Sequence, residues 1–278
     1  MTSRTALVTG ANQGLGRALA EGLAGRVDRV LLTGRNPGRV SAAAAELGVE
    51  GRVLDVRDGA AIDALAAELG EVDIVFSNAT ARMTPDDDPV DVADALIDTS
   101  NVATSAILRA FAPRLRAGGR LIVVASALGT LDKLPPAIAP RFAAVAEQDL
   151  DAVDALVEEW RRAVHARDER FGSWLNIPSK VAQVAAVRAL ARSRRDADLA
   201  QNRLIAALCP GLIDTGASRP WFEDMSQAQT PAQGASWPVE LALAPEFDPT
   251  FYGELVQFGR VIPWESGVPS PANVVSGR

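Results

Sequence analysis

The chain has 278 residues, of which 48% are hydrophobic and 23% are charged. This length and composition suit one large α/β domain or two small ones. The net charge of −7 disfavours nucleic acid as a partner, because phosphate binding needs a basic surface. The apolar stretches are well short of the roughly 20 residues that cross a bilayer, and the N-terminus runs into a strand pattern without a signal peptide. We therefore predict a cytoplasmic protein with no membrane partner and no metal site.

Rare residue types narrow the search for functional groups. The lone cysteine, Cys209, excludes an internal disulfide, and its apolar neighbours favour a buried small side chain over a nucleophile. Among the 28 basic residues only Lys133 and Lys180 are lysine. A lysine that is retained against such a strong arginine bias points to a role that arginine cannot fill.

Strand and helix patterns alternate along the chain. Apolar runs predict strands at residues 5–8, 29–33, 51–54, 72–76, 120–125 and 203–208. Amphipathic runs predict helices near residues 15–23, 41–47, 60–69 and 179–192, and one long helix or two over 91–115. Repeated β-α-β units with apolar strands predict a doubly wound parallel sheet covered by helices, a single Rossmann domain over residues 1–278.

Two segments depart from this alternation. Residues 132–173 lack a strand pattern and predict a helical insertion, with a helix over 145–167 whose acids lead and whose bases end, as the helix dipole favours. Residues 210–278 are rich in Pro, Gly and Trp and predict irregular substrate loops with a final edge strand. The expected sheet has seven parallel strands.

The first predicted strand leads into a glycine-rich turn that opens a helix. Gly10 allows the tight turn, Gly14 lets backbone N–H groups approach a pyrophosphate, and Gly16 permits close contact between helix and sheet. In this strand–turn–helix context the pattern predicts a dinucleotide site. The cofactor contacts expected from the turn are Gly10, Asn12, Gln13, Gly14, Leu15 and Gly16.

Arg35 follows the second strand, where NAD-specific sites place an acid on the ribose. A guanidinium there suits the 2′-phosphate of NADPH. The alternative is a solvated surface arginine.

These motifs, in this order, resemble the short-chain dehydrogenase/reductase superfamily over residues 4–264. The chain is most similar to carbonyl reductases, which carry a helical insertion before the active-site motif and are monomeric where that insertion covers the association face. The resemblance implies that Lys180 both binds the cofactor and serves catalysis with Ser126 and Asn101. It also implies cofactor contacts from Asp55, Val56, Asn78, Ala79, Thr80, Pro210, Gly211, Leu212, Ile213 and Thr215. Thr80 departs from the family's glycine.

The family's catalytic tyrosine is the one element not found. Asn176 stands at that position, four residues before Lys180, and an amide donates a hydrogen bond but releases no proton near pH 7. Asn176 is also a favoured helix N-cap, so both readings stay open. Tyr252, His165 and Asp214 are other candidate acids, each with a structural interpretation that is more common.

Three functions fit this sequence. The first is NADPH-dependent reduction of a carbonyl or quinone on a small aromatic or polyketide-like molecule of secondary metabolism, with an atypical proton path. The second is a non-redox cyclase, dehydratase or isomerase on the same scaffold, and the third is an inactive NADPH-binding protein. Aromatic residues near the active-site segments favour a wall for a flat substrate: Trp174, Trp221, Phe222 and Trp237.

Overall fold

Seven parallel strands and one short antiparallel strand form a single sheet in the computed structural model, which describes residues 3–265. The strand order is β3-β2-β1-β4-β5-β6-β7-β8. The order reverses direction between β1 and β4, and at such a switch point the carboxyl ends of the strands open a crevice. The single-domain α/β Rossmann fold predicted from the sequence is confirmed.

The elements follow one another in strict alternation over the first half of the chain. The strands are β1 (Thr5–Val8), β2 (Arg29–Gly34), β3 (Glu50–Val53), β4 (Val72–Ser77), β5 (Leu115–Val124), β6 (Leu204–Leu208), β7 (Leu255–Gln257) and β8 (Arg260–Val261). The helices are α1 (Gly14–Leu23), α2 (Pro37–Leu47), α3 (Gly59–Leu69), α4 (Pro89–Ile97), α5 (Ala103–Phe111), α6 (Ala139–Ala146), α7 (Leu150–His165), α8 (Asn176–Leu199) and α9 (Pro231–Leu243). A π-helical turn, Asp98–Val102, joins α4 to α5.

The sheet core comes from strands that are apolar on both faces. Every residue of β1 and β6 is buried, as expected for central parallel strands covered by helices on both sides. The predicted seven-stranded sheet needs one correction, because β8 adds an eighth strand that runs antiparallel to β7. The hairpin turn between them carries Phe258 and Gly259 at positive φ, which lets the chain reverse in two residues.

The insertion also differs from its prediction as one helix over 145–167. The chain forms α6 and then α7, because Asp149 adopts an extended conformation and accepts a hydrogen bond from the Ala152 backbone N–H at 2.9 Å. This cap begins a new helix rather than continuing the first. Helix α7 packs against α4 and α8, so the insertion covers that face of the core.

Two further helix predictions were wrong. Helix α8 runs from Asn176 to Leu199, longer at both ends than the predicted 179–192. Residues 231–243, predicted to be irregular, form α9: Thr230 and Gln233 make a reciprocal capping box and Pro231 occupies the first turn. Pro238 lies inside that helix, which explains why composition disfavoured it.

Arg120 is a fully buried cation in the middle of β5. Its Nη1 donates to the carbonyls of Gly118, Gly119 and Asn202 at 2.9, 3.0 and 2.6 Å, and its Nη2 donates to that of Ala244 at 3.0 Å. Burial lowers the pKa of Arg120 to about 10. The side chain therefore ties the start of β5 to the turn before β6 and to the end of α9.

We expect Arg120→Met to lower the free energy of unfolding by about 2–4 kcal/mol, because several buried carbonyls lose their charged donor together. Arg26→Met is the matched control, since Arg26 pairs with Glu240 on the exposed surface and such pairs contribute about 0–1 kcal/mol. Urea unfolding of both variants measures the difference. Equal losses in the two variants would contradict the role assigned to Arg120.

Candidate active site

The glycine-rich turn is locked onto the end of β4 by Asn78. Its Nδ2 donates to the carbonyls of Thr9 and Gly10 at 2.9 and 3.3 Å, and its backbone N–H donates to Thr9 Oγ1 at 2.9 Å. A Cβ on Gly16 would lie 2.4 Å from Asn78 Nδ2 and 2.5 Å from the Gly10 carbonyl oxygen. A Cβ on Gly10, whose φ is +63°, would lie 2.7 Å from Ala79 Cα. The turn therefore has the tight backbone approach that a dinucleotide pyrophosphate requires.

Two exposed arginines follow the second strand. Arg35 and Arg39 are exposed at the end of β2 and the start of α2, and neither forms an ion pair within residues 3–265. Asp55, by contrast, holds Arg57 through both carboxylate oxygens, and this contact lowers the pKa of the Asp55 carboxyl.

The segment after β6 closes the other side of the crevice. Cys209, the first residue after β6, is buried, and Gly211 has a φ of +84°. Ile213 bridges to Gln229, so residues 214–228 form a loop that is closed at its base. Thr215 lies against Gly14, because a Cβ on that glycine would be 3.5 Å from Thr215 Cγ2. The structure thus brings the predicted Pro-Gly segment beside the glycine-rich turn.

Lys180 lies one turn into α8, and two groups of the protein bind its ammonium. Its Nζ donates to the carbonyl of Val124 at 3.3 Å and to Gln183 Oε1 at 2.8 Å. Burial lowers the pKa of Lys180 to about 8. Gln183 was missed from the sequence, where a lone glutamine among buried valines and alanines of α8 is the available signal.

Ser126 begins a short turn that packs directly on α8. The turn, Ala127–Gly129, approaches so closely that a Cβ on Gly129 would lie 2.9 Å from the Lys180 carbonyl oxygen. Ser126 Oγ accepts a hydrogen bond from the Leu128 backbone N–H at 3.2 Å, which leaves its own hydroxyl proton available. The turn that begins at Ser126 therefore contacts α8 at Lys180, and Asn176 lies four residues before Lys180 on the same helix.

Asn176 is the first residue of α8 and is partly buried. The N-cap position belongs to Leu175, whose backbone is already helical, and no side chain caps this helix end. The side-chain amide of Asn176 has no hydrogen-bond partner among residues 3–265. The N-cap reading of Asn176 is therefore not supported by this geometry.

Asn101 lies in the π-helical turn and is bound to α8 in both directions. Its Nδ2 donates to the Ser179 carbonyl at 2.8 Å, and Ser179 Oγ donates to Asn101 Oδ1 at 2.9 Å. Thr80 reaches the same turn, with its hydroxyl 3.0 Å from Ser100 Oγ. Asn101 thus binds this turn to α8. Thr80 contacts the turn through a hydroxyl that the expected glycine would lack.

The other candidate acids lie elsewhere. Tyr252 is buried, and its hydroxyl donates to Asp198 at 2.7 Å near the end of α8, where burial and that carboxylate raise its pKa. His165 contacts Asp94 at 3.0 Å on the face between α7 and α4. Asp214 is exposed and pairs with Arg219, which lowers the pKa of its carboxyl. All three take the structural roles considered for them.

Two of the four aromatic residues meet beside this site. Trp174 and Trp221 stack with ring centroids 5.4 Å apart, and Trp221 Nε1 donates to the Met83 carbonyl at 3.1 Å. Trp237 lies instead beside Gly259 of the β7–β8 turn. A cavity of about 220 Å³ lined by Gly25, Asp28, Gly48 and Glu50 lies at the amino ends of the strands, the wrong edge for this site.

Comparison with known proteins agrees with this geometry. The family described as short chain dehydrogenase matches residues 4–138. Human carbonyl reductase (NADPH) 3 is 31% identical over 282 residues, which cover 94% of this chain and 99% of the relative. The mouse protein of that name is 30% identical with the same coverage.

Salutaridine reductase from Papaver somniferum has the same fold, with a TM-score of 0.77 at 20% identity over 91% of this chain and 99% of its own. No helix of residues 3–265 is long and apolar enough to cross a membrane. Taken with the glycine-rich turn and the cluster at the start of α8, the sequence relatives place this chain in the short-chain dehydrogenase/reductase superfamily.

Proposed function

We propose that this protein is an NADPH-dependent reductase of a carbonyl or quinone, working without a tyrosine acid. The observation that carries this proposal is the contact of the turn beginning at Ser126 with α8 at Lys180, whose partly buried ammonium donates to the carbonyl at the end of β5, with Asn176 four residues before it. Its relatives named carbonyl reductase (NADPH) 3 support the reaction class and the cofactor.

The cofactor is NADPH, and the residues present fit it. Gly10 and Gly16 form a cradle that a Cβ would fill, and Arg35 and Arg39 offer two free guanidinium groups for a 2′-phosphate. The side chain of Asn12 lies against Gly34, the residue before Arg35. We assign the remaining contacts to Gln13, Leu15, Val56, Ala79, Pro210 and Leu212, as the resemblance implies.

In this proposal one catalytic residue binds the cofactor, and two others stabilise negative charge on the substrate oxygen. NADPH supplies a hydride when bound. Ser126 and Asn176 donate hydrogen bonds to the substrate oxygen, and Lys180 holds the ribose through its remaining N–H. These two donors would stabilise the negative charge that the substrate oxygen gains on reduction, and water would deliver the proton to that oxygen.

The substrate that suits this site stabilises its own negative charge. An amide cannot release a proton near pH 7, and the chain's single tyrosine is occupied at Asp198. A quinone, or a conjugated ketone on an aromatic or polyketide-like molecule, spreads the developing charge over its ring. The Trp174–Trp221 pair offers such a flat molecule an apolar wall.

The location and the oligomeric state of the protein are part of this proposal. We propose a cytoplasmic protein of secondary metabolism that acts as a monomer, because α7 covers α4 and α8. Small-angle scattering that shows a compact tetramer would contradict the monomer.

A panel of quinones and conjugated ketones with NADPH tests the function. We expect absorbance at 340 nm to fall with a subset of them, faster than with saturated ketones. Substrate turnover without NADPH consumption would indicate the non-redox alternative. NADPH binding without any turnover would indicate an inactive binding protein.

Arg35→Ala should weaken NADPH binding about tenfold to a hundredfold and leave NADH binding nearly unchanged. A charge-assisted contact to the 2′-phosphate contributes about 1.5–3 kcal/mol, and NADH lacks that group. Fluorescence titration of both cofactors measures this. Arg219→Ala, which removes an exposed arginine of the 214–228 loop, is the control. Equal affinity of the wild-type protein for NADPH and NADH would contradict the assignment.

Lys180→Ala should weaken NADPH binding and abolish turnover. In the wild-type protein, NADPH affinity should fall as pH rises through about 8, because Lys180 then loses its charge. The variant should not show that pH dependence. Lys133→Ala is the control, since this lysine pairs with Asp132 at 2.8 Å. An unchanged pH profile in Lys180→Ala would exclude Lys180 from the cofactor site.

Asn176→Ala should reduce turnover about 10²–10³-fold, as expected when one oxyanion donor is lost, with NADPH affinity unchanged. Its melting temperature should stay near that of the wild type, because Asn176 caps no helix. Asp149→Ala removes a real cap and should lose about 0.5–2 kcal/mol of stability at full activity. A fully active but less stable Asn176→Ala would contradict the donor role. Asn176→Tyr tests whether ordinary carbonyl reduction can be gained.

A further inference from the structure

Gln183 is a buried amide one turn beyond Lys180, only 2% exposed, on a helix face shared with Val184 and Val187. A primary amide is costly to bury unless its polar atoms find partners. Here both ends do. Gln183 Oε1 accepts from Lys180 Nζ at 2.8 Å, and Gln183 Nε2 donates to the Ser100 carbonyl at 3.0 Å and to Thr104 Oγ1 at 3.2 Å.

The far end of this amide rests on the π-helical turn. The Ser100 carbonyl accepts from Gln183 and also from Thr104 Oγ1, the latter at 2.6 Å. The reciprocal pair between Asn101 and Ser179 fixes the same turn to α8 one residue away. The turn and the helix are therefore held in one register, and Gln183 is the member of this network that touches Lys180.

We infer that Gln183 is a positioning residue: its amide holds the Lys180 ammonium at the catalytic edge and closes the inner side of that ammonium with a group that does not titrate near neutral pH. This inference rests on the proposed function, in which Lys180 meets the cofactor.

The chemistry of the amide gives this arrangement its consequence. Two of the three N–H groups of Lys180 are used inside the protein, on Val124 and Gln183, which leaves one for the cleft. An amide side chain neither gains nor loses a proton near neutral pH, so no proton passes between Lys180 and the π-helical turn through it. A proton must then enter from the cleft side, where the proposed mechanism places water.

Neighbouring ionisable groups do not replace Gln183. The Cys209 thiol at the end of β6 faces Lys180, but burial raises the pKa of this thiol, so it stays neutral. Asp98, in the same π-helical turn as Ser100, is paired with Arg161 of α7. Within the described residues, Gln183 and the Val124 carbonyl are thus the partners that stabilise the buried ammonium.

The two-lysine composition allows a direct test. Protein grown with ¹³C-lysine gives two sets of ε-methylene NMR signals, which Lys133→Arg assigns. Lys180 should titrate with a midpoint near pH 8 in the wild type. In Gln183→Met, a near-isosteric change, the midpoint should fall by on the order of one pH unit, because a hydrogen bond to the charged form is lost. In Gln183→Glu it should rise, because a carboxylate favours the ammonium.

Ser179→Ala is the matched control, since Ser179 is buried on α8 and bonded to the π-helical turn without touching Lys180. Its Lys180 midpoint should stay at the wild-type value, and the Lys133 signal should not move in any of these variants. Circular dichroism confirms that each variant is folded. An unchanged Lys180 midpoint in both folded Gln183 variants would overturn the inference.

This titration needs neither cofactor nor substrate, so it fails independently of the proposed function. Shifted midpoints in a protein that does not bind NADPH would overturn the proposed function and leave the positioning role intact. Where both hold, the NADPH dissociation constant of Gln183→Met at pH 7.5 should rise several-fold, and Gln183→Glu should restore it.

Discussion

The partly buried ammonium of Lys180 is the constraint on which the catalytic edge depends. Desolvation disfavours its charge, and this lowers the pKa of Lys180 to about 8. Its hydrogen bonds to Val124 and Gln183 oppose that cost, and they require β5, α8 and the π-helical turn to stay in a fixed relation. Ser126 begins the turn that packs on α8 at Lys180, and Asn176 lies four residues before this lysine on the helix.

Asparagine at position 176 changes the chemical role that is open to Lys180. In the resembling family the lysine lowers the pKa of a tyrosine acid, whereas Asn176 has no proton to tune. In the proposed mechanism the ammonium serves as a fixed charge beside two neutral hydrogen-bond donors, an arrangement that stabilises an oxyanion without protonating it. The proposed preference for quinones and conjugated ketones follows from this difference.

The sequence predicted those parts of the fold that local patterns determine. Apolar runs located the central strands, and the glycine spacing located the turn that Asn78 secures. Helix α9 was missed because Pro231 and Pro238 suggest irregular chain, although Thr230 and Gln233 cap it. The short antiparallel β8 depends on a positive φ at Phe258, which composition does not reveal.

The candidate site was predictable residue by residue but not as a network. Motif order made Ser126, Asn101 and Lys180 the candidates, whereas the contacts of Gln183 depend on the packing of α8 against a π-helical turn far away in sequence. The N-cap reading of Asn176 rested on residue preference alone. The structure shows that the cap position lies one residue before Asn176, at Leu175, with no side-chain cap.

A crystal structure of the protein with NADP⁺ and a quinone-like inhibitor tests the central claim most directly. The account predicts that Asn176 Nδ2 and Ser126 Oγ both lie within about 3 Å of the inhibitor oxygen, with Lys180 Nζ on the nicotinamide ribose. An Asn176 side chain turned away from the inhibitor, with another acidic group or a bound water holding that oxygen in its place, would contradict it.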